Sequence, residues 1–189
     1  GSDELRQEFL APAIAGDLIG CIGVTEQGSG SDVSSVRSFA RKDGDDYVIN
    51  GDKMFITNSI QGDWICMLCN TSEDNGPHRN KTLIVVPLNS MGISKQKLKK
   101  LGLMCSDTGH LHFDDVRVPQ RYRIGEEGMG FTYQMEQFQE ERLYAVARTV
   151  TFLEDALEET IDYARQRMAF NRPILDDQVM HYQMAEMQP

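Results

Sequence analysis

Val48-Ile49-Asn50-Gly51-Asp52-Lys53-Met54-Phe55-Ile56-Thr57 is the stretch that decides the fold. Apolar and β-branched runs flank Asn50-Gly51, a dipeptide that tolerates positive φ at both positions, so the stretch predicts a tight hairpin joining strands at 46–50 and 53–57. The same pattern repeats outward from it. Up to about residue 125 short β-branched or aromatic runs alternate with turn residues, which predicts antiparallel strands near 20–25, 36–42, 64–70, 82–87, 95–100, 109–113 and 115–118. Trp64-Ile65-Cys66-Met67-Leu68 and Leu83-Ile84-Val85-Val86 are apolar without alternation, as in strands covered on both faces in a barrel or under helices. Polar residues 71–81, with Asn75-Gly76-Pro77, read as a loop.

Past Gly125-Glu126-Glu127-Gly128-Met129-Gly130 the period changes. Val146, Val150, Leu153, Leu157, Ile161, Ala164 and Met168 step by three or four, the mark of a long helix with one apolar stripe. Asn171-Arg172-Pro173 ends that helix, since proline cannot continue it, and a second helix is expected from Asp177 to Pro189. One helix and the start of another cannot bury their stripes alone, so further helical chain is expected outside this sequence. Gly1-Ser2 has the look of a cleavage scar, and any targeting segment is expected upstream.

Composition removes several functions. The chain has 189 residues with 19 Lys and Arg against 29 Asp and Glu, a net charge of −10, which argues against a binder that tracks nucleic-acid phosphates. No apolar run is long enough to span a bilayer. Cys21, Cys66, Cys69 and Cys105 form no disulfide framework, and the Cys66/Cys69 spacing lacks a second pair to complete a zinc site, so buried structural thiols in a reducing compartment are expected. His110 and His112 share one strand face, but no third ligand is evident nearby, and no metal site is expected.

Two segments could carry chemistry. Val24-Thr25-Glu26-Gln27-Gly28-Ser29-Gly30-Ser31-Asp32-Val33 leads from a strand into a glycine-rich loop, either a plain surface turn or a cradle in which backbone N–H groups meet an anion. Val33 occupies the third glycine position of the dinucleotide fingerprint, and neither a Walker lysine nor a Gly-x-Ser-x-Gly elbow is present. Glu140-Glu141-Arg142 reads either as a solvated helix face or, if the helix reaches back to Met135, as a carboxylate and a guanidinium partly desolvated beside the apolar stripe.

Taken together and in order, these runs resemble the acyl-CoA dehydrogenase family. Residues 24–33 are similar to its Thr-Glu-Pro-Gly-x-Gly-Ser-Asp signature, with Gln27 in place of proline. Residues 48–58 resemble its flavin-facing hairpin, with Phe55 where many members carry tryptophan. Ser106-Asp107-Thr108 and Phe113-Asp114-Asp115-Val116-Arg117-Val118-Pro119 resemble the last barrel strands. Arg165 through Pro173 resembles the helix end that meets a neighbouring subunit's flavin, with Asn171 replacing glycine.

The resemblance implies an α+β chain: residues 1–19 close a missing N-terminal helical domain, 20–125 form an antiparallel β-barrel, and 126–189 open an all-α four-helix domain. It implies FAD as cofactor, held by Ile22, Gly23, Val24, Thr25, Gly28, Gly30 and Ser31 and by Phe55, Ile56 and Thr57. Arg167, Phe170 and Gln178 would reach the FAD of a second subunit, which implies a homodimer or homotetramer. Ser31, Gln139 and Arg142 would contact the acyl-CoA substrate. Glu141, in the Glu-Arg-Leu run of the long-chain and isovaleryl types, would be the base that removes the α proton as the substrate becomes a trans-2-enoyl-CoA.

Electron-transferring flavoprotein is the implied electron acceptor. The implied compartment is the mitochondrial matrix in a eukaryote or the cytoplasm in a bacterium. An acyl-CoA oxidase shares these motifs, and a catalytically silent barrel that binds acyl-CoA or a protein is the alternative from another class. The chain by itself is expected to bind FAD poorly and to be inactive.

Overall fold

A computed structural model of the chain describes residues 1–188. They divide into two compact units, residues 1–135 and residues 136 onward.

The first unit opens with α1 (Asp3–Leu5), a π turn (Arg6–Leu10) and α2 (Ala11–Ala15). This helical segment docks through Leu5 and Phe9, both buried, with the Phe9 ring edge-on to Trp64 at 6.0 Å and to Tyr122 at 5.1 Å. The strands that follow are β1 (Gly20–Gly23), β2 (Phe39–Asp43), β3 (Asp46–Thr57), β4 (Trp64–Asn70), β5 (Lys81–Pro87), β6 (Ile93–Lys97), β7 (Thr108–Pro119) and β8 (Arg123–Ile124). They form one sheet in the order β6-β7-β3-β2-β4-β5-β8, with β1 paired to β4. Tyr47, Ile49, Ile65, Met67, Ile84, Leu111 and Phe113 are among the side chains of its core.

The structure corrects the expected barrel. β6 and β8 end the hydrogen-bonded path, and no closing ladder joins them among the described residues. β6 exposes Ser94 through Lys97, two of them lysines, and β8 is only two residues long, so neither offers a long apolar edge to pair. The sheet is also not purely antiparallel: β1 runs parallel to β4, and β2 meets β4 in parallel at the single pair Phe39–Asn70.

Asn50-Gly51 is not a turn. β3 continues through it as one twelve-residue strand, with a shift of register against β7 between Ile49 and Gly51. The hairpin closes instead at Gly44-Asp45, between Asp43 and Asp46, where Gly44 takes φ +61°. Gly51 has φ +141° and lies so close to β2 that a Cβ there would sit 2.7 Å from Ser38 Cα. The two strands expected at 109–113 and 115–118 are likewise one, β7, kinked at Asp115 (φ +49°). The two kinks face each other: the Asn50 amide donates to Asp115 Oδ1 at 2.9 Å and accepts the Asp115 N–H at 3.0 Å. As expected from its unbroken apolar run, β5 is buried from Lys81 to Val86.

Helix α3 (Gly130–Gln166) starts in the first unit and supplies most of the second. It ends before the expected Pro173. Met168–Ala169 (β9) and Arg172–Pro173 (β10) then pair as a small hairpin whose turn residues Phe170 and Asn171 both take positive φ. Helix α4 (Gln178–Met187) follows. The end of the predicted second helix, Pro189, lies outside the described residues. Of the predicted stripe, Leu157 and Ala164 are buried, while Val146, Val150 and Met168 are exposed.

Candidate functional site

β1 delivers the chain into the glycine-rich loop. Beyond Val24, which is buried, Thr25 is half-buried and its carbonyl accepts the Met54 N–H at 2.8 Å, so the loop is stitched to β3 one residue before Phe55. Glu26 and Ser29 then exchange backbone hydrogen bonds of 2.8 and 3.1 Å, closing a tight turn around Gln27 and Gly28. Ser29 Oγ donates to the Asp32 carbonyl at 2.7 Å, and Asp32 caps the 3-10 turn Val33–Ser35 by accepting the Ser34 N–H at 3.0 Å. Gly28, Gly30 and Ser31 stay exposed, with open space where a Cβ would stand on either glycine.

A buried ion pair anchors this loop. The Lys53 ammonium lies 2.8 Å from Glu26 Oε1 and also donates to the Val24 carbonyl at 3.0 Å. The same carboxylate accepts the Arg37 N–H at 2.6 Å and the Ser38 N–H at 3.0 Å. Burial pushes the Glu26 carboxyl upward, but the Lys53 charge and these hydrogen bonds outweigh it and hold the group below its usual range. A cleft of about 380 Å³ opens beside the loop, lined by Gln27, Gly28, Arg37 and Asp52 among others. No local pattern in the sequence marks Glu26 and Lys53 as buried; their burial is a long-range product of the loop after β1 packing against β3.

Phe55 is held in an unusual conformation, φ +61°, and 66% of its surface is exposed, while Ile56 points into the core at 3%. Thr57 is exposed next to it, and Asn58, also at positive φ (+64°), donates its N–H to the Asp107 carbonyl at 3.2 Å. Asp107 further accepts the Ile60 N–H at 3.0 Å, so the segment after Phe55 is pinned at both ends. The glycine-rich loop and the Phe55–Thr57 segment, predicted separately, are thus joined at Thr25–Met54. Ile22, by contrast, is exposed on β1, and Gly23 is buried with an Ile65 carbon 2.5 Å from where its Cβ would be.

His110 and His112 do meet a third group. Asp52 Oδ1 lies 3.1 Å from His110 Nε2 and 3.0 Å from His112 Nδ1. These are hydrogen-bond distances, and no group of three His, Cys, Asp or Glu among the described residues is arranged to hold a metal. Burial pushes the Cys21, Cys66 and Cys69 thiols up to about 12, and Cys105 is exposed.

In the second unit, Gln139, Glu141 and Arg142 lie on α3. Of the two readings of Glu141 and Arg142, the solvated helix face is the one observed among the described residues: every residue from Gln139 to Val150 is exposed. Arg142 instead folds back along α3, donating to the Phe138 carbonyl at 3.3 Å with its guanidinium 5.7 Å from the Phe138 ring centre. Arg167 and Gln178 are exposed, and Phe170, at positive φ on the hairpin tip, is 96% exposed. No helix among the described residues is long and apolar enough to cross a membrane.

Comparison with known proteins gives these features a common origin. Residues 21–116 match the acyl-CoA dehydrogenase middle domain and residues 128–189 match the acyl-CoA dehydrogenase C-terminal domain. The chain is 39% identical to the long-chain specific acyl-CoA dehydrogenase of Sus scrofa mitochondria, over 99% of this chain and 44% of that protein. It is 33% identical to the human mitochondrial short-chain enzyme, over 99% of this chain and 45% of that protein, so these relatives do not fix a chain-length class. A probable acyl-CoA dehydrogenase from Mycobacterium abscessus superposes with a TM-score of 0.94 at 39% identity, covering 99% of this chain and 50% of that structure. The chain spans less than half the length of these curated relatives. With both segments matched in order and the fold shared, the chain belongs to the acyl-CoA dehydrogenase family, of which it carries the middle domain and part of the C-terminal domain.

Proposed function

We propose that the complete polypeptide containing this chain is an FAD-dependent dehydrogenase that converts an acyl-CoA into its trans-2-enoyl-CoA. The observation that carries the reading is the exposed, positive-φ Phe55 held between two pinned segments, with Thr25 tied to its neighbour Met54 and Thr57 two residues on. A flat aromatic group presented to solvent beside two hydroxyl-bearing residues fits a planar, heteroatom-edged ring such as the isoalloxazine. Gly28 and Gly30, with open space beside them, fit the close approach of an anionic oxygen to backbone N–H groups. When bound, FAD supplies the acceptor for the hydride that leaves the substrate β carbon.

The remaining work falls to side chains. Glu141 takes the α proton, and Arg142 and Gln139, on the same exposed stretch of α3, bind the polar CoA portion; Ser31, on the glycine-rich loop of the first unit, is assigned separately as a substrate contact. A thioester α proton is weakly acidic, so Glu141 needs a water-poor surround; covering the exposed 139–150 stretch with the rest of the polypeptide would supply it. Arg167, Phe170 and Gln178, exposed around the β9–β10 hairpin, serve the flavin of a second subunit in a homo-oligomer. Electron-transferring flavoprotein is the proposed acceptor of the electrons.

The test is an anaerobic titration of the purified complete polypeptide with straight and branched acyl-CoAs of increasing length. Bleaching of a flavin absorbance with enoyl-CoA formation supports the proposal, and the chain giving the steepest bleaching names the substrate. A polypeptide that carries no flavin, or one that no acyl-CoA reduces, contradicts it. Oxygen uptake at the rate of enoyl-CoA formation, once air is admitted, would identify an oxidase.

A further inference from the structure

A second cavity of the first unit, of about 660 Å³, is lined by β2, by the loop 71–79 and by the segment before α3. Its lining is separate from residues 24–33 and 55–57. The walls are tied to one another. The Thr82 hydroxyl lies 2.7 Å from Thr71 Oγ1 and accepts the Gly128 N–H at 3.0 Å. Gly128 has φ +82°, and a Cβ there would stand 2.7 Å from the Arg79 carbonyl oxygen, so the loop and the segment before α3 meet backbone to backbone. On β2, Lys42 lies 2.6 Å from the Glu127 carboxylate, which Arg123 also approaches at 3.4 Å. These bonds set the shape of the cavity before a ligand arrives.

Glu127 and Lys42 thus satisfy each other, and the remaining charges of the lining do not. Arg41 and Arg79 form no ion pair among the described residues, although Glu73 and Asp74 line the same cavity. Arg79 donates to the Met129 sulfur at 3.4 Å and keeps its other N–H groups. A single unpaired arginine on a surface is ordinary; two that converge on one walled cavity form a site for an anion, because each guanidinium fork matches the oxygens of a phosphate. The carboxylates, left as acceptors, suit hydroxyl groups, and half-buried Phe39 supplies ring surface for a flat base. The volume falls within the roughly 300–1,000 Å³ of small-molecule sites.

We propose that this cavity binds the diphosphate-bearing part of a nucleotide, with Arg41 and Arg79 on the phosphates, Glu73 and Asp74 on the sugar hydroxyls and Phe39 against the base. The source is either a free nucleoside diphosphate or the nucleotide end of an acyl-CoA, and the chemistry recognised is the same.

The test titrates ADP and inorganic pyrophosphate calorimetrically into the complete polypeptide, carrying its flavin, and into its Arg41→Gln, Arg79→Gln and Phe39→Leu variants. Both arginines are exposed, so their variants should keep the wild-type thermal midpoint. Each is expected to weaken ADP binding about tenfold, the loss of one charge-assisted contact. Phe39→Leu should weaken ADP about fivefold and leave pyrophosphate unchanged. Absence of ADP binding tighter than about 1 mM in the wild type, or binding that neither arginine variant changes, overturns the site. Equal wild-type affinities for ADP and pyrophosphate overturn its assignment to a nucleotide.

The source is read from an acyl-CoA and the same acyl group on pantetheine, which lacks the nucleotide. Displacement of ADP by the acyl-CoA, with KM raised in the arginine variants for the acyl-CoA alone, assigns the cavity to the substrate's nucleotide end. Undisturbed ADP binding and unchanged KM values assign it to a free nucleotide. Failure of the wild type to oxidise any acyl-CoA overturns the acyl-CoA reading and leaves the ADP titration to stand by itself.

Discussion

The Lys53 ammonium lies 2.8 Å from Glu26 Oε1 in a site where the lysine side chain has no exposed surface and the glutamate side chain is 8% exposed. This pair joins the middle of β3 to the turn of the glycine-rich loop, so the same contact sets the position of Thr25 and of Phe55. Removing one partner leaves the other charged and unpaired in the interior. Lys53→Met is therefore expected to destabilise the chain by about 3–5 kcal/mol, read as a lowered urea midpoint with an unchanged m-value.

The pair also fixes the sign of a pH effect. The Glu26 carboxyl is held below its ordinary value in the folded chain, so the unfolded chain binds its proton more readily. The stability this contributes is present above the ordinary carboxyl value and is lost as pH falls through the folded one. Urea midpoints measured from neutral pH downward should show part of this acid loss in the wild type and less of it in Glu26→Gln, which starts from a lower midpoint.

Gly51 and Ser38 provide a steric test. A Cβ on residue 51 would stand 2.7 Å from Ser38 Cα at a φ of +141° that other residues rarely adopt. Gly51→Ala is expected to cost roughly 2 kcal/mol or more, because a backbone atom cannot be moved as cheaply as a side chain. Asp115→Gly, at the facing kink with φ +49°, should by contrast be tolerated, gaining in backbone strain what it loses in its hydrogen bond to Asn50. Thermal midpoints of the two variants should separate clearly.

Much of the first unit was legible in the sequence, and the places where reading failed share a cause. Alternation and turn residues located the strands, and the unbroken run from Leu83 to Val86 correctly announced a strand buried on both faces. Asn50-Gly51 misled because its local preference for a turn is overruled by pairing with β2 on one side and β7 on the other, which uses the positive φ of Gly51 for a bulge. Closure of the sheet was illegible because it depends on whether the ends β6 and β8 pair, a long-range matter that strand patterns do not encode. Glu26, Lys53 and Lys81 carry charged side chains, which are usually exposed, and nothing in the strand pattern marks them as buried; only the fold does. On α3 the reverse occurred: Val146 and Val150, the first members of the predicted apolar stripe, are exposed.

Thiol chemistry checks the burial pattern directly. With Cys21 and Cys69 buried, Cys66 half-buried, and all three thiols pushed up to about 12, the exposed Cys105 should react first with a disulfide reagent near neutral pH in the native chain. All four cysteines should react after unfolding in urea. Rapid native labelling of a second thiol would contradict the packing around β4.

Glu141 is proposed to remove the substrate α proton. Anaerobic bleaching of the flavin by the preferred acyl-CoA, compared between the complete polypeptide and its Glu141→Gln variant at equal flavin content, decides this role. Rapid bleaching is expected in the wild type and a loss of at least about a thousandfold in the variant, in line with removal of a general base that acts as the sole proton acceptor. Bleaching of the variant at a rate close to wild type would contradict it and place the base elsewhere in the polypeptide.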